Sequence, residues 1–447
     1  MAAISAARKA AFGILMGVER GHSHSDDLLR SKAVDGLSAP DRNLATALVL
    51  GTLRWQIRLD HQVQAFLKHP GAKLDAEIRI ALRLGAFQIL HMDRIPARAA
   101  IDESVELAKQ AGHKFASKMV NAVLRKLALA PRVDFPEETA AQLALAEAHP
   151  AWMVERWTHL YGPEAALGIC RHGQSQPGVT VRLATPEVAA ELTAAGIQLE
   201  DGELLRQART VLAGDITASA AFREGRLRLQ DEGSQLVAEL AGQGTEILDC
   251  CAAPGGKTLI LAERNPQARI VACESSAARL EQLCARLAGH ADRVECRQAD
   301  AGALTEEAVF DLVLADVPCS GTGTLGRNPE IRHRLKAEDL ARQAERQRAI
   351  FAAALRAVRP GGYVVYSTCS LEPEENEQVI AAVLAGNSGV RQVPLGARIE
   401  ALRQGSILAA DAAERLHAAE THNGALRLIP GTFGTDGFFV AMIERLA

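Results

Sequence analysis

The spacing of apolar residues predicts helices in the first part of the chain. From Ala6 to about Leu129 the spacing is helical throughout, and Ile101, Val105 and Ala108, for example, fall at positions i, i+4 and i+7. Residues with that spacing share one face of a helix, which is then buried. Clusters of turn-forming residues divide the stretch into helices of ordinary length. We therefore expect an all-helical domain over residues 1–140.

The apolar period changes after a group of prolines between residues 131 and 150. Beyond them, short β-type runs at 179–183 and 216–218 flank a helix-like stretch at 186–195. This mixture of periods predicts a small α/β module over residues 150–235.

From Glu246 onward, short apolar strands alternate with helical segments. The strands are predicted at 247–250, 269–273, 294–296, 311–315 and 363–367. Such an alternation is typical of a doubly wound parallel sheet, so residues 236–447 are expected to form an α/β domain. Ligands of these sheets bind beyond the carboxyl ends of the strands, which is where functional side chains should lie.

Composition places the chain among ordinary globular proteins. It has 447 residues, of which 48% are hydrophobic and 23% are charged, enough for two or three domains with proper cores. The net charge of -4 is unevenly distributed, because residues 1–130 carry 19 Lys+Arg against 12 Asp+Glu. A basic N-terminal part beside an acidic remainder suggests a polyanionic partner, although surface charge also serves solubility.

Several classes of protein are disfavoured. The longest stretch without charge, Gln378 to Val390, is shorter than the ~20 apolar residues of a membrane span. Met1 to Arg20 is interrupted by basic residues and resembles no secretory signal, so we expect a cytoplasmic protein without a membrane segment. None of the eight cysteines has C-x-x-C spacing, and His22 and His24 have no further ligand type nearby, so neither a disulfide framework nor a metal site is expected.

The first predicted α/β strand leads into a glycine-containing loop, Asp249–Thr258. Gly255 and Gly256 allow a ligand to approach the backbone where the next helix begins. The loop is not a P-loop, because Cys251 stands where that motif needs glycine, and the G-x-G-x-x-G dinucleotide motif is absent. A nucleoside-binding sheet remains, in which Glu274 ends the second strand and can accept both ribose hydroxyls.

Later strand ends carry acids and thiols. Asp300 follows the third strand, where it could accept from an adenine amino group. Asp316 and Cys319 follow the fourth strand and Cys369 follows the fifth. A single cysteine is more often a small buried apolar residue, but two beside an acid and a nucleoside pocket favour chemistry.

Two thiols and an acid suit methylation of a pyrimidine at C5. That carbon is a weak nucleophile until a thiolate adds to C6 and makes the ring enamine-like. An acid hydrogen-bonded at N3 and N4 stabilises the adduct, and a second group assists elimination. Spacing alone would let either Cys319 or Cys369 attack.

Three motifs resemble those of RNA (cytosine-5) methyltransferases of the Nol/Nop/Sun family: Asp249–Thr258, Asp316–Ser320 and Thr368–Ser370. The resemblance implies a class I S-adenosylmethionine-dependent methyltransferase with a Rossmann-like sheet. It also implies Cys369 as nucleophile, Cys319 as the thiol that assists product release, and Asp316 as the cytosine contact. The implied S-adenosyl-L-methionine contacts are Cys251, Ala252, Ala253, Pro254, Gly255, Gly256, Lys257, Glu274, Asp300 and Asp316.

The sequence departs from the family pattern at two places. Val317 stands where alanine is frequent, and Asn328–Glu330 stands where histidine-proline-aspartate is common. These differences affect packing and RNA contact rather than the thiols.

The helical stretch carries a second resemblance, to the NusB-type RNA-binding fold. It rests on Asp41–Leu44, Gly51–Arg54, Arg83–Gln88 and Arg94–Pro96. The Nol/Nop/Sun family fuses this fold to its catalytic domain in bacterial 16S ribosomal RNA enzymes of the Sun/Fmu type. The resemblances imply methyl transfer to C5 of a cytosine in 16S ribosomal RNA by a monomer.

Two rival functions are less well supported. An amino-group methyltransferase would need a D/N-P-P-aromatic turn, whereas the chain has Asp316-Val-Pro-Cys319. A non-catalytic RNA-binding protein would have no reason to keep both thiols.

Basic residues between Arg327 and Arg348 form either a solvated helix face or part of an RNA entrance.

Overall fold

The computed structural model describes residues 4–21 and 24–446. Met1 and His22, on which two sequence predictions fall, lie outside the described residues. By compactness the chain divides into two units, Met1–Gln176 with Leu325–Arg334, and Pro177–Thr324 with Leu335–Ala447. The three domain ranges drawn from the sequence stay a prediction.

The first unit confirms the expectation of helices before Leu129. Its N-terminal helices and the three that follow are α1 (Ala6–Glu19), α2 (Ser25–Leu29), α3 (Ala39–Gln64), α4 (Ala76–His91), α5 (Ala97–Gln110), α6 (Ser117–Leu129), α7 (Ala140–Ala146), α8 (Ala151–Tyr161) and α9 (Pro163–Gln174). Ile101 and Ala108 are buried in its apolar core, and Val105 packs against that core. The i, i+4, i+7 pattern therefore marks the face that the helix buries.

The short segment Leu325–Arg334 belongs to this helical unit. Arg332 is 2% exposed, and its guanidinium donates to the backbone carbonyls of Arg54, Ala148 and Gly173 at 3.3, 3.3 and 2.9 Å. A buried charge needs such partners. For Arg332, neither a solvated face nor an RNA entrance is the right interpretation, because its side chain is used in packing.

The departure from the family pattern at Glu330 also has a structural role in the first unit. This carboxylate is fully buried and accepts hydrogen bonds from the backbone N–H and the hydroxyl of Ser25, at 3.0 and 2.9 Å. Glu330 thereby provides an acceptor for the N–H group of the first residue of α2, because the first N–H groups of a helix have no acceptor within the helix.

A small antiparallel sheet opens the second unit. Its elements are β1 (Val179–Leu183), α10 (Glu187–Ala194), β2 (Gln198–Asp201), β3 (Ala208–Ala213), α11 (Ala220–Arg223) and β4 (Leu227–Leu229), with strand order β2-β3-β1-β4. The predicted strand at 179–183 is confirmed. The one predicted at 216–218 is wrong, because the Asp215 side chain accepts from the N–H groups of Thr217 and Ala218 and starts a 3-10 helix there.

A larger sheet forms the rest of the second unit. Its strands are β5 (Glu246–Asp249), β6 (Arg269–Glu274), β7 (Val294–Gln298), β8 (Phe310–Asp316), β9 (Val358–Thr368), β10 (Val390–Val393), β11 (Leu426–Leu428) and β12 (Phe438–Arg445). The helices are α12 (Glu232–Ala241), α13 (Gly256–Arg264), α14 (Ala277–Leu287), α16 (Ala337–Ala357), α17 (Glu377–Leu384), α18 (Gly396–Gln404) and α19 (Ala412–Ala418), with α15 (Ile331–Arg334) assigned to the first unit.

All five predicted strands of the larger sheet are confirmed. The strand order is β10-β12-β9-β8-β5-β6-β7, and β11 pairs with β12. Strands β5 to β9 pair in parallel, whereas β10, β11 and β12 pair antiparallel and were not predicted. Alternate residues of β8 enter two different apolar clusters, which shows that both faces of the sheet are covered.

Strands β8 and β9 lie side by side, with Asp316 opposite Ser367. The turns that follow them, which carry Cys319 and Cys369, therefore start at the same edge of the sheet. Among the residues described, no helix combines the length and apolar character needed to span a membrane.

Candidate active site

A cavity of about 220 Å³ lies at the carboxyl ends of the parallel strands. The predicted site residues on its wall are Cys251, Ala253, Glu274, Asp300, Asp316, Cys319 and Cys369. The other predicted residues, Ala252, Pro254, Gly255, Gly256 and Lys257, do not line it. Sequence positions more than a hundred residues apart thus meet around one space, as expected for a sheet of this type.

The loop after β5 turns sharply before α13. Gly255 has a φ of 97°, a left-handed conformation that favours glycine, and an added Cβ would lie 2.9 Å from Leu283. Asp249, where β5 ends and the loop begins, is fully buried and accepts a 2.8 Å hydrogen bond from the Thr258 hydroxyl. Burial raises the pKa of Asp249 to about 6.

Lys257 contributes to the site through Asp316 rather than through the cavity wall. Its Nζ lies 2.7 Å from Asp316 Oδ2, and the Ser367 hydroxyl donates to Oδ1 of the same carboxylate at 2.6 Å. Burial lowers the pKa of Lys257, but the interaction with Asp316, together with weaker electrostatic interactions with Cys369 and Asp249, outweighs burial and raises it. Lys257 is therefore a cation near both Asp316 and Cys369.

Glu274 presents one free carboxylate oxygen at the end of β6. Its Oε1 accepts from the Ser276 N–H and from Arg279, both at 2.7 Å. Within residues 4–21 and 24–446, no side chain or backbone group was found to donate to Oε2. Asp300, at the end of the next strand, is exposed and accepts from the Gly302 N–H.

The two thiols of the candidate site lie side by side. The sulfur atoms of Cys319 and Cys369 are 3.3 Å apart, and both side chains are partly buried. The hydrogen bond to Cys369, together with burial, raises the pKa of Cys319 well above its usual range. Cys319 is therefore a protonated thiol at neutral pH.

Close backbone packing holds the turn after β8 against the turn after β9. The Gly323 N–H donates to the Cys369 carbonyl at 2.9 Å, and its own carbonyl accepts from the Gly437 N–H at 2.8 Å. A Cβ at position 323 would lie 2.6 Å from the Gly437 oxygen and 2.8 Å from the Cys369 oxygen. Only glycine fits between these two backbones.

The sequence analysis did not identify Glu375, which bonds to the residues that follow the two cysteines. This fully buried carboxylate accepts hydrogen bonds from the backbone N–H of Ser320 at 2.8 Å and from the hydroxyls of Ser320 and Ser370. Gln347 donates to it as well, at 2.9 Å. The only sequence feature that could have indicated this role is that Glu375 follows Ser370 by five residues. Glu375 lies in an acidic stretch, and such stretches are normally exposed to solvent.

Two arginines on the cavity wall were also missed. Arg279 pairs with Glu274, and Arg346 projects from α16. Arg346 lies in the basic segment that the sequence left undecided between a solvated face and an RNA contact.

Family models match three parts of the chain. They are described as 16S rRNA methyltransferase RsmB/F over residues 238–444, NusB family over residues 5–129, and a Methyltr_RsmF/B-like, ferredoxin-like domain over residues 149–213.

Similar proteins span nearly the whole chain. A Bacillus subtilis protein described as "Probable ribosomal RNA small subunit methyltransferase B" is 34% identical over 98% of both chains. The ribosomal RNA small subunit methyltransferase B of Pseudomonas putida is 32% identical, also over 98% of both.

Solved structures show the same fold. The crystal structure of PH0851 covers 99% of this chain and 100% of its own, at a TM-score of 0.78 and 24% identity. NSun6 from Pyrococcus horikoshii, crystallised with SFG, covers 67% of this chain and 99% of its own, at a TM-score of 0.56 and 20% identity. With a class I methyltransferase sheet, a helical NusB domain and relatives over its full length, the chain belongs to the 16S rRNA methyltransferase RsmB/F family.

Proposed function

We propose that this protein methylates C5 of a cytosine in 16S ribosomal RNA, using S-adenosyl-L-methionine, through a covalent bond between Cys369 and C6 of the base. The observation that carries the proposal is the pair of thiols 3.3 Å apart on the wall of a cavity that Asp316 and Glu274 also line. Family membership supports the ribosomal RNA substrate.

The residues around the cavity fit the proposed methyl donor. Glu274 has one carboxylate oxygen held by Ser276 and Arg279, and the other can accept the hydroxyls of a ribose. Asp300 on the next strand can accept from an adenine amino group, and the loop through Cys251 and Ala253 forms the adjacent wall. When bound there, S-adenosyl-L-methionine would supply a methyl group activated on a sulfonium sulfur.

Electrostatics favours Cys369 over Cys319 as the nucleophile. The raised pKa of Cys319 keeps that thiol protonated, so it can donate a hydrogen bond to the neighbouring sulfur. Lys257 lies near Cys369 and carries a positive charge, which stabilises a thiolate. We therefore assign addition to Cys369, in agreement with the family resemblance.

Each residue then has a defined part in the reaction. The Cys369 sulfur forms a bond to C6, and the electron pair of the C5=C6 double bond makes C5 nucleophilic. Asp316, held by Lys257 and Ser367, would hydrogen-bond N3 and N4 of the base and stabilise the adduct. After methylation the Cys319 thiol, 3.3 Å away, donates its proton to the departing Cys369 sulfur, and the resulting Cys319 thiolate takes the C5 proton as the C5=C6 double bond re-forms.

Single substitutions of the two cysteines test this assignment. With Cys369→Ala no adduct can form, so methyl transfer to 16S ribosomal RNA from a strain lacking the enzyme should vanish. With Cys319→Ala, addition and transfer can proceed but release is impaired, so a protein–RNA adduct should accumulate as a shifted band on a denaturing gel. Cys284→Ala, away from the cavity wall, serves as the matched control and should behave as wild type.

The outcomes separate the parts of the proposal. An adduct trapped by Cys369→Ala, and none by Cys319→Ala, would mean that the roles are reversed. If both variants kept wild-type methyl transfer and released the RNA normally, covalent catalysis by these cysteines would be excluded. Bisulfite sequencing of the methylated RNA identifies the modified base, and a methyl group elsewhere than cytosine C5 would overturn the proposed chemistry.

A further inference from the structure

We propose that Glu375 is a positioning residue that sets the distance between the Cys319 and Cys369 sulfur atoms. The inference rests on the proposed function, in which the two thiols act in succession on the same base. Glu375 does not line the cavity, so it acts through the two turns rather than by touching substrate.

One carboxylate is bonded to the residue that follows each cysteine. Oε1 of Glu375 accepts from the backbone N–H of Ser320 at 2.8 Å, and Oε2 accepts from the hydroxyls of both Ser320 and Ser370. The two hydroxyls are themselves 3.1 Å apart. Glu375 therefore joins two turns that are 50 residues apart in the chain.

The carboxylate is itself held in place from two sides. The Gln347 amide donates to Oε1 at 2.9 Å and to the Pro318 carbonyl, one residue before Cys319, at 3.0 Å. The Tyr366 hydroxyl donates to the backbone carbonyl of Glu375 at 2.6 Å. These bonds fix the carboxylate relative to α16 and the Glu375 backbone relative to β9, the strand that ends at the Cys369 turn.

The environment of Glu375 is unusual for a structural carboxylate. The side chain is fully buried, yet no salt bridge to it was found among the residues described, and its donors are all uncharged. Burying a charge is costly unless several hydrogen bonds compensate for it. A neutral glutamine could fill the same space at lower cost, so the carboxylate is explained by its ability to accept from both turns at once.

Spacing of the thiols can be measured without RNA or methyl donor. A trivalent arsenical such as phenylarsine oxide forms two arsenic–sulfur bonds with neighbouring thiols, and its oxygen leaves with the two thiol protons as water. Tight binding requires two sulfur atoms that one arsenic can bridge. The signal from the Cys319–Cys369 pair is the difference in binding between a given protein and the same protein with Cys319→Ala.

Three variants test the role of the carboxylate. Glu375→Ala removes the link between the turns, and Glu375→Gln keeps the shape and the acceptor for the Ser320 N–H. The matched control is Glu232→Gln, since Glu232 is also buried and accepts from the N–H groups of Glu203, Leu204 and Leu205 far along the chain from the thiols. It should cost comparable stability without altering the thiols.

We expect Glu375→Ala to weaken arsenical binding by the Cys319–Cys369 pair at least tenfold and to lower kcat for methylation by a similar factor, with KM for RNA unchanged. Glu375→Gln should recover part of both, and Glu232→Gln should retain both. Arsenical binding by Glu375→Ala equal to wild type, or lost equally in Glu232→Gln, would overturn the inference. If Glu375→Ala does not fold, the comparison of arsenical binding by Glu375→Gln and Glu232→Gln decides: weaker binding by Glu375→Gln alone supports the inference, and equal binding overturns it. A wild-type protein that makes no 5-methylcytosine would refute the proposed function, while the arsenical result would still report on Glu375.

Discussion

Replacing the buried Asp249 by asparagine should make the second unit more stable above pH 6. Asp249 is 1% exposed, and burial raises its pKa from 3.8 to about 6. The folded protein therefore holds a proton that the unfolded chain releases between pH 4 and 6, so stability decreases as the pH rises through that range. At 1.36 kcal/mol per pKa unit, the loss amounts to about 3 kcal/mol above pH 6.

Asparagine removes this pH dependence and keeps an acceptor for the Thr258 hydroxyl, which donates to Asp249 at 2.8 Å. Thr258→Val acts in the opposite direction. It removes a hydrogen bond that lowers the pKa of Asp249, so the carboxyl group should titrate at a higher pH than in wild type. The two variants thus change the pH profile in ways that a general loss of packing would not produce.

The assay must report on the second unit alone, because unfolding of a chain with two compact units need not be two-state. All three tryptophans, Trp55, Trp152 and Trp157, lie in the first unit, so their fluorescence is unsuitable. Cys250 and Cys273 are buried in the second unit. A thiol-labelling pulse at one fixed pH, after equilibration in urea at pH 4 to 8, measures the fraction in which they are exposed. Parallel pH profiles for wild type and Asp249→Asn would refute the reasoning.

Three further predictions concern binding and acid stability. Glu274→Ala should weaken S-adenosyl-L-methionine binding by about 1 to 3 kcal/mol, measured by calorimetry, whereas Glu295→Ala on the neighbouring strand should not; unchanged affinity would remove Glu274 from the site. Burial lowers the pKa of His91 to about 4, so the first unit should lose stability as the pH falls from 6.5 to 4, and tryptophan fluorescence should show a smaller loss in His91→Phe. Charge reversal at Lys118 and Arg125, both exposed on α6, should weaken RNA binding and flatten its salt dependence, and an unchanged slope would exclude phosphate contacts by that face.

The sequence was sufficient to predict features that depend on local pattern and on strand order. Apolar runs marked β5 to β9, and chemistry-bearing residues directly after them were expected to meet because parallel strands end at one edge. The antiparallel edge was not predicted, because β10 and β11 are short and their pairing with β12 depends on distant segments. The predicted strand at 216–218 failed for a local reason, since a side-chain cap at Asp215 overrode the β-branched pattern.

Buried polar residues were the hardest to predict. Arg332 and Glu375 both lie in charged stretches of the sequence, and charged residues are rarely fully buried. Their burial follows from partners that are distant in the chain, the carbonyls of Arg54 and Gly173 for one and the Ser320 turn for the other. Composition and periodicity carry no information about such partners.

The proposed roles of the two cysteines rest on a difference that their spacing in the sequence does not reveal. Each follows a strand, and each is followed by a serine whose hydroxyl donates to Glu375. Their electrostatic settings differ, because Lys257 interacts with Cys369, whereas the proton of Cys319 is retained by burial and by its neighbour. Glu375 thus bonds to both turns, while the charges around the two thiols differ. The proposed reaction needs this difference, because one thiol must attack while the other stays protonated until release.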